Sequence, residues 1–225
     1  MILAAGRKSV PLGPQLSLSV SQSKGVNGMP AEEVRICPVR HAGTLDNKIR
    51  KWIQDPKKIL RPYIKRGMTV LDLGCGPGFF TISMAEMVGR SGKVIAADVQ
   101  DGMLKILQDK IKGTDVENII CVHKCDKGSI GFSGYADLVL AFYVIHEISN
   151  VQNIFMEIHN LLKDSGILLI IEPKYIHVSK KDFEHTVRSA VKLGFEHMGN
   201  LSIFMSQGVI LRKYQTGIES SLVAG

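Results

Sequence analysis

Between Met68 and Gly194 short runs rich in Val, Ile and Leu alternate with longer stretches of helical period. That alternation is the pattern of βαβ units winding a mostly parallel sheet with helices on both faces. The spacing predicts strands at Thr69–Leu73, Lys93–Asp98, Asn118–His123, Ala136–Phe142 and Gly166–Glu172, each too short to be a helix. Helices are predicted at Phe79–Val88, Asp101–Lys112, Val151–Lys163 and Lys180–Leu193, with Gly89, Gly113, Gly166 and Gly194 as left-handed stops. The last helix opens with Ser179 three residues before Asp182, a capping-box spacing. Two extended segments follow, Phe195–Gly199 and Gln207–Arg212, with no room for a crossover helix between them, so they should pair antiparallel. A dinucleotide fold would instead continue its parallel alternation.

Flanking segments are less ordered in pattern. Residues 1–30 mix Ser, Gly and Pro with isolated aliphatics and read as a disordered leader, either an organellar address or a stretch preceding a start at Met29. Residues 31–66 read as a helical appendage or lid, with Leu45, Ile49, Trp52 and Ile53 on one face and a break at Asp55-Pro56. The domain proper is expected over 67–214, and 215–225 is a tail. Charge is uneven: residues 1–66 carry 13 Lys/Arg against 4 Asp/Glu, while 67–225 carry 15 against 17. A basic arm of this kind suits either a docking surface for an anionic partner or simple solvation. No apolar run approaches the roughly 18 to 20 residues of a membrane span. Four scattered cysteines suit a reducing cytosol better than a disulfide scaffold, and a cytoplasmic protein is expected.

Chemistry concentrates at Val70-Leu71-Asp72-Leu73-Gly74-Cys75-Gly76-Pro77-Gly78-Phe79-Phe80-Thr81, a strand running through a glycine-rich turn into a helix. Gly74, Gly76 and Gly78 remove Cβ atoms that would keep a ligand away from the backbone and tolerate the dihedrals of a tight turn. A nicotinamide fingerprint would place its third glycine at position 79, where Phe79 stands. Asp72 separates the alternatives further, because a carboxylate there repels a pyrophosphate but attracts the ammonium of an amino-acid-bearing cofactor such as S-adenosyl-L-methionine (SAM). Asp98, 20 residues after Gly78, can accept hydrogen bonds from ribose hydroxyls. Asp126 could accept from an adenine amino group, with Val99 and Met103 giving apolar contact to the base.

These motifs resemble the class I SAM-dependent methyltransferases, in particular the small-molecule branch that includes quinone-biosynthesis and arsenite methyltransferases. The likeness covers residues 37–213, with Asp72–Gly78, Asp98, Asp126 and Phe142–Glu147 matching the family's motifs. It implies a Rossmann-like α/β sheet of order 3-2-1-4-5-7-6 with the last strand antiparallel. SAM would lie over the ends of strands one and two and leave as S-adenosyl-L-homocysteine. Cys75 and Phe79 of the turn, Cys125 beside Asp126, and Phe142 complete the expected cofactor shell. The crevice where strand order reverses puts Phe142, Tyr143, His146 and Glu147 beside the cofactor.

Methyl transfer is an in-line displacement, so alignment supplies much of its rate. His146 or Glu147 could take the proton of a phenol or carbon acid, whereas a thiolate or arsenite needs no base. The same pair also fits the start of a helix. Tyr143, His146 and Glu172 are expected to line the acceptor pocket. No metal site is expected: side chains two apart on one strand, as in Cys121, His123 and Cys125, sit about 6.7 Å apart. Zinc ligands must converge to within roughly 4 Å. Arsenite is disfavoured as acceptor, because of the four cysteines only Cys37 lies clearly outside the sheet. An RNA or protein methyltransferase docking through the basic arm is an alternative, although the N/D-P-P-Y signature of base amino-methylation is replaced by Ala141-Phe142-Tyr143-Val144. A SAM-binding scaffold without transfer activity is another. Oligomeric state is not encoded in any of these patterns.

Overall fold

The computed structural model describes residues 54–174 and 178–214. The expected leader, the appendage up to residue 53 with its Leu45–Ile53 face, Cys37 and the tail after 214 lie outside the described residues. Within them the chain runs α1 (Pro56–Leu60), β1 (Thr69–Leu73), α2 (Thr81–Val88), β2 (Lys93–Asp98), α3 (Asp101–Ile111), β3 (Ile120–Lys124) and β4 (Ala136–Phe142). A 3-10 turn (Ile145–Glu147) follows, then α4 (Val151–Leu161), β5 (Leu162–Pro173), α5 (Lys180–Lys192), β6 (Phe195–Ile203) and β7 (Ser206–Lys213). The seven strands form one sheet of order β3-β2-β1-β4-β5-β7-β6. β1 to β5 are mutually parallel, and β7 runs antiparallel to both β5 and β6. This is the expected class I arrangement.

Successive strand residues face opposite sides, and both sides are covered. One face buries Leu71, Ile95, Val139, Leu168 and Val209 against Phe155 and Ile158 of α4 and Phe183 of α5. The other buries Val70, Val94, Leu138 and Leu169 against Met84 of α2, Leu107 of α3 and Leu60 of α1. That two-sided burial explains why these strands read as continuous apolar runs rather than alternating ones.

Local chemistry sets the helix starts. The Asp55 carboxylate accepts the Lys57 and Lys58 amides, with Pro56 at the first helical position, so the break at Asp55-Pro56 is the start of α1. Ser179 caps α5 by accepting the Asp182 amide at 3.2 Å and donating to the Asp182 carboxylate at 2.6 Å.

One stop differs from expectation. Gly89, Gly113 and Gly194 have positive φ, but after α4 the left-handed residue is Ser165 (φ 62), inside the first part of β5, and not Gly166. α4 ends at Leu161 because Leu162 already pairs with Ala136, and the register then shifts so that Leu138 meets Ile167. Gly166 is needed for space: a Cβ there would stand 2.8 Å from the Lys163 carbonyl oxygen.

Candidate active site

β1 is flanked by β2 on one side and β4 on the other, so the order reverses at β1 and a crevice opens at the carboxyl ends of these strands. The glycine turn, Asp98 and the segment after β4 all lie on that edge. The turn is anchored by two amides, Gly74 N–H and Cys75 N–H, which both donate to the Ala97 carbonyl at 2.8 and 3.0 Å. All three glycines have positive φ, 70, 53 and 90 for Gly74, Gly76 and Gly78.

Their surroundings differ in a way the sequence does not reveal. A Cβ on Gly74 would meet Val144 Cγ2 at 2.5 Å, and one on Gly78 would meet Leu107 Cδ1 at 2.4 Å. At these two glycines the missing Cβ makes room for neighbouring side chains. Gly76 alone faces open space, with nothing within 4 Å of the Cβ position.

Asp98 closes this opening from β2. One carboxylate oxygen accepts the Gly76 N–H and the other the Gln100 N–H, each at 2.8 Å. Burial pushes the Asp98 carboxyl up from its ordinary value, outweighing the Gln100 and Gly76 amides and the Lys124 charge, which act in the opposite sense. Asp72 is only 3% exposed and accepts a 2.6 Å hydrogen bond from the Thr81 hydroxyl, tying β1 to the first turn of α2. Thr81 was not among the expected site residues.

The remaining expected cofactor residues divide by burial. Val99 is half-buried and Asp126 exposed, but Cys75, Phe79, Met103, Cys125 and Phe142 are buried. Met103 is 1% exposed. Burial also raises both neighbouring thiols, Cys75 well above its ordinary value and Cys125 to about 12, which leaves them protonated and unreactive at neutral pH. The loop carrying Asp126 is fastened by Glu157 of α4, whose carboxylate accepts the Ile130 and Gly131 amides at 2.7 and 3.0 Å.

After β4 the backbone turns sharply. Tyr143 has φ 58, a conformation uncommon for a bulky residue and the kind of local strain that gathers at functional sites. Its ring lies 4.3 Å from that of Phe142, and its hydroxyl bonds Ser206 of β7 at 2.5 Å and accepts from the Gln54 amide at 2.7 Å. Gln54 and Ser206 are 89 and 63 residues from Tyr143, a separation that gives no signal in sequence. His146 and Glu147 sit in the 3-10 turn. The His146 side chain is 23% exposed, and its Nδ1 lies 2.5 Å from a Glu172 carboxylate oxygen. Glu172 itself is 1% exposed and lies beneath His146.

A family model described as "Methyltransferase domain" matches residues 64–207, which include the glycine turn, Asp98 and the segment after β4. The chain belongs to the methyltransferase-domain family. Family membership is echoed by a demethylmenaquinone methyltransferase of Listeria monocytogenes, 28% identical over 123 residues, or 54% of this chain and 51% of that protein. A ubiquinone/menaquinone biosynthesis C-methyltransferase of Blochmanniella pennsylvanica is 32% identical over 115 residues, covering 51% and 45%. The chain spans about half the length of the curated relatives it matches. A crystal structure of a SAM dependent methyltransferase from Aquifex aeolicus superimposes with TM-score 0.71 at 26% identity, over 79% of this chain and all of that one. Among the described residues no helix is long and apolar enough to cross a membrane.

Proposed function

We propose that this chain is a SAM-dependent methyltransferase acting on a small-molecule acceptor, with both ligands meeting in the crevice between β1 and β4. The supporting observation is the pairing of an open Cβ-free turn at Gly76 with the Asp98 carboxylate, at the point where strand order reverses. The residues present fit SAM. The bare Gly76 turn admits a ligand against the backbone, Asp98 accepts from ribose hydroxyls, and Val99 and Asp126 stand on the base side. Asp72, with its direct hydrogen bond taken by Thr81, favours the ammonium through its charge.

Bound there, SAM supplies a sulfonium methyl group and leaves as S-adenosyl-L-homocysteine after transfer. The chain's own part is to hold both ligands in line, exclude water and, for an acceptor that must be deprotonated, take up a proton at His146. Two relatives are named for menaquinone and ubiquinone biosynthesis, which supports a quinol as the acceptor class. A cytoplasmic setting accords with Cys75, Cys121 and Cys125 being free thiols among the described residues. Incubation with SAM and chemically reduced naphthohydroquinone tests the reading: a methylated product seen by mass spectrometry supports it. Saturable SAM binding without transfer to quinol, phenol or thiol acceptors would leave only a binding protein.

A further inference from the structure

We propose that Glu172 is a positioning residue that holds the His146 imidazole in one tautomer and one orientation, so that Nε2 takes the proton of an acceptor whose nucleophile carries hydrogen, such as a phenol, a hydroquinone or an acidic C–H. The proposal rests on methyl transfer as the activity of this site.

The carboxylate is fixed before the imidazole is considered. Oε1 of Glu172 accepts the Ile145 N–H at 2.8 Å and the His146 N–H at 3.3 Å, two amides of the 3-10 turn. That clasp leaves Oε2 facing His146 Nδ1 at 2.5 Å. A carboxylate buried to this depth is costly unless donors satisfy it, and an Nδ1–H is the donor that suits Oε2. In the neutral ring the proton then resides on Nδ1, and Nε2 is the basic nitrogen. A base oriented by a third group is the arrangement that proton-abstracting sites use generally.

The turn is also seated against the expected cofactor-binding turn. Val144, two residues before His146, fills the space where a Cβ of Gly74 would stand. Among the described residues, the charged groups acting on His146 include Glu172 from β5 and Glu147 from its own turn. Burial works to lower the imidazole pKa, but the Glu172 hydrogen bond and the charges of Glu172 and Glu147 together raise it. As written, the acceptor's O–H or C–H proton passes to Nε2 while its electron pair forms the bond to the sulfonium methyl carbon. The S–CH3 bond breaks with its electrons remaining on sulfur, and the imidazolium later releases the proton to water.

The test uses the full chain without ligand, labelled with nitrogen-15, and reads the histidine ring nitrogens by NMR across the neutral pH range. His146 is expected to show the Nδ1-protonated tautomer and to titrate above an ordinary histidine. Glu172→Gln, which retains an oxygen for the two amides but turns a donating NH2 toward Nδ1, should shift the ring toward the Nε2-protonated tautomer and lower the titration midpoint while SAM affinity is unchanged. With reduced naphthohydroquinone, kcat should fall by at least about tenfold and the acidic limb of its pH profile should move to lower pH. Absence of the Nδ1-protonated form in the wild-type chain overturns the proposal whether or not the variant folds. An unshifted acidic limb in Glu172→Gln, despite the altered tautomer, overturns the proton-accepting role. Failure of the wild type to methylate naphthohydroquinone counts against the quinol reading alone, since the NMR result stands independently of turnover.

Discussion

The Asp98 carboxylate accepts the backbone N–H of Gly76 at 2.8 Å, so the turn after β1 and the acid ending β2 are in contact across two adjacent strands. That contact and the Gln100 amide hold both carboxylate oxygens in place. An acid held in this way presents its remaining lone pairs in a fixed direction, which is what bidentate recognition of a ribose requires.

The glycines of the turn should separate stability from binding. Gly78→Ala forces a Cβ to 2.4 Å from Leu107 at φ 90 and is expected to cost about 1–3 kcal/mol in urea denaturation. Gly76→Ala meets no atom and should cost only about 1 kcal/mol, yet weaken SAM binding at least about tenfold by intruding on the ligand's space.

Thr81→Val removes the hydroxyl donor from the buried Asp72 carboxylate. A loss of about 2 kcal/mol is expected in the same unfolding measurement. A change below about 0.5 kcal/mol would show that the β1 to α2 tie contributes little.

Tyr143→Phe keeps the strained turn and the ring contact with Phe142 but deletes the hydroxyl bonded to Gln54 and Ser206. The expectation is unchanged SAM affinity with a raised KM for the acceptor, measured by steady-state kinetics. Weakened SAM binding instead would place Tyr143 on the cofactor side.

Much of this fold was readable because its signals are local. The strand at Ala136–Phe142 and the Ser179 cap depend on neighbours a few residues away, and both stand where the pattern put them. β5 begins earlier than its glycine suggested because Leu162 pairs across the sheet with Ala136, a partner that no window around Gly166 contains. The site divides in the same way. Gly76 and Asp98 belong to a motif and its spacing, whereas Val144 against Gly74, Thr81 under Asp72 and Glu172 under His146 are tertiary contacts. In the sequence Glu172 is simply an acid at a strand end. Its depth and its hold on three donor groups make it different.

His146 also gives a pH-dependent stability. Its pKa is raised in the fold, so its contribution is fully present below the unfolded histidine value and is lost as pH rises through the higher folded value. The stability difference between wild type and His146→Asn should therefore be larger at mildly acidic pH than at mildly alkaline pH, as read from thermal melts. An equal difference at both would remove the charge coupling with Glu172.

Titration calorimetry of the full chain with SAM, for the wild type and Asp98→Ala side by side, tests binding at the glycine turn most directly. Saturable binding near one SAM per chain is expected, displaced by S-adenosyl-L-homocysteine and weakened at least about tenfold in Asp98→Ala. No measurable heat from the wild type, or equal affinity in the two proteins, would contradict it.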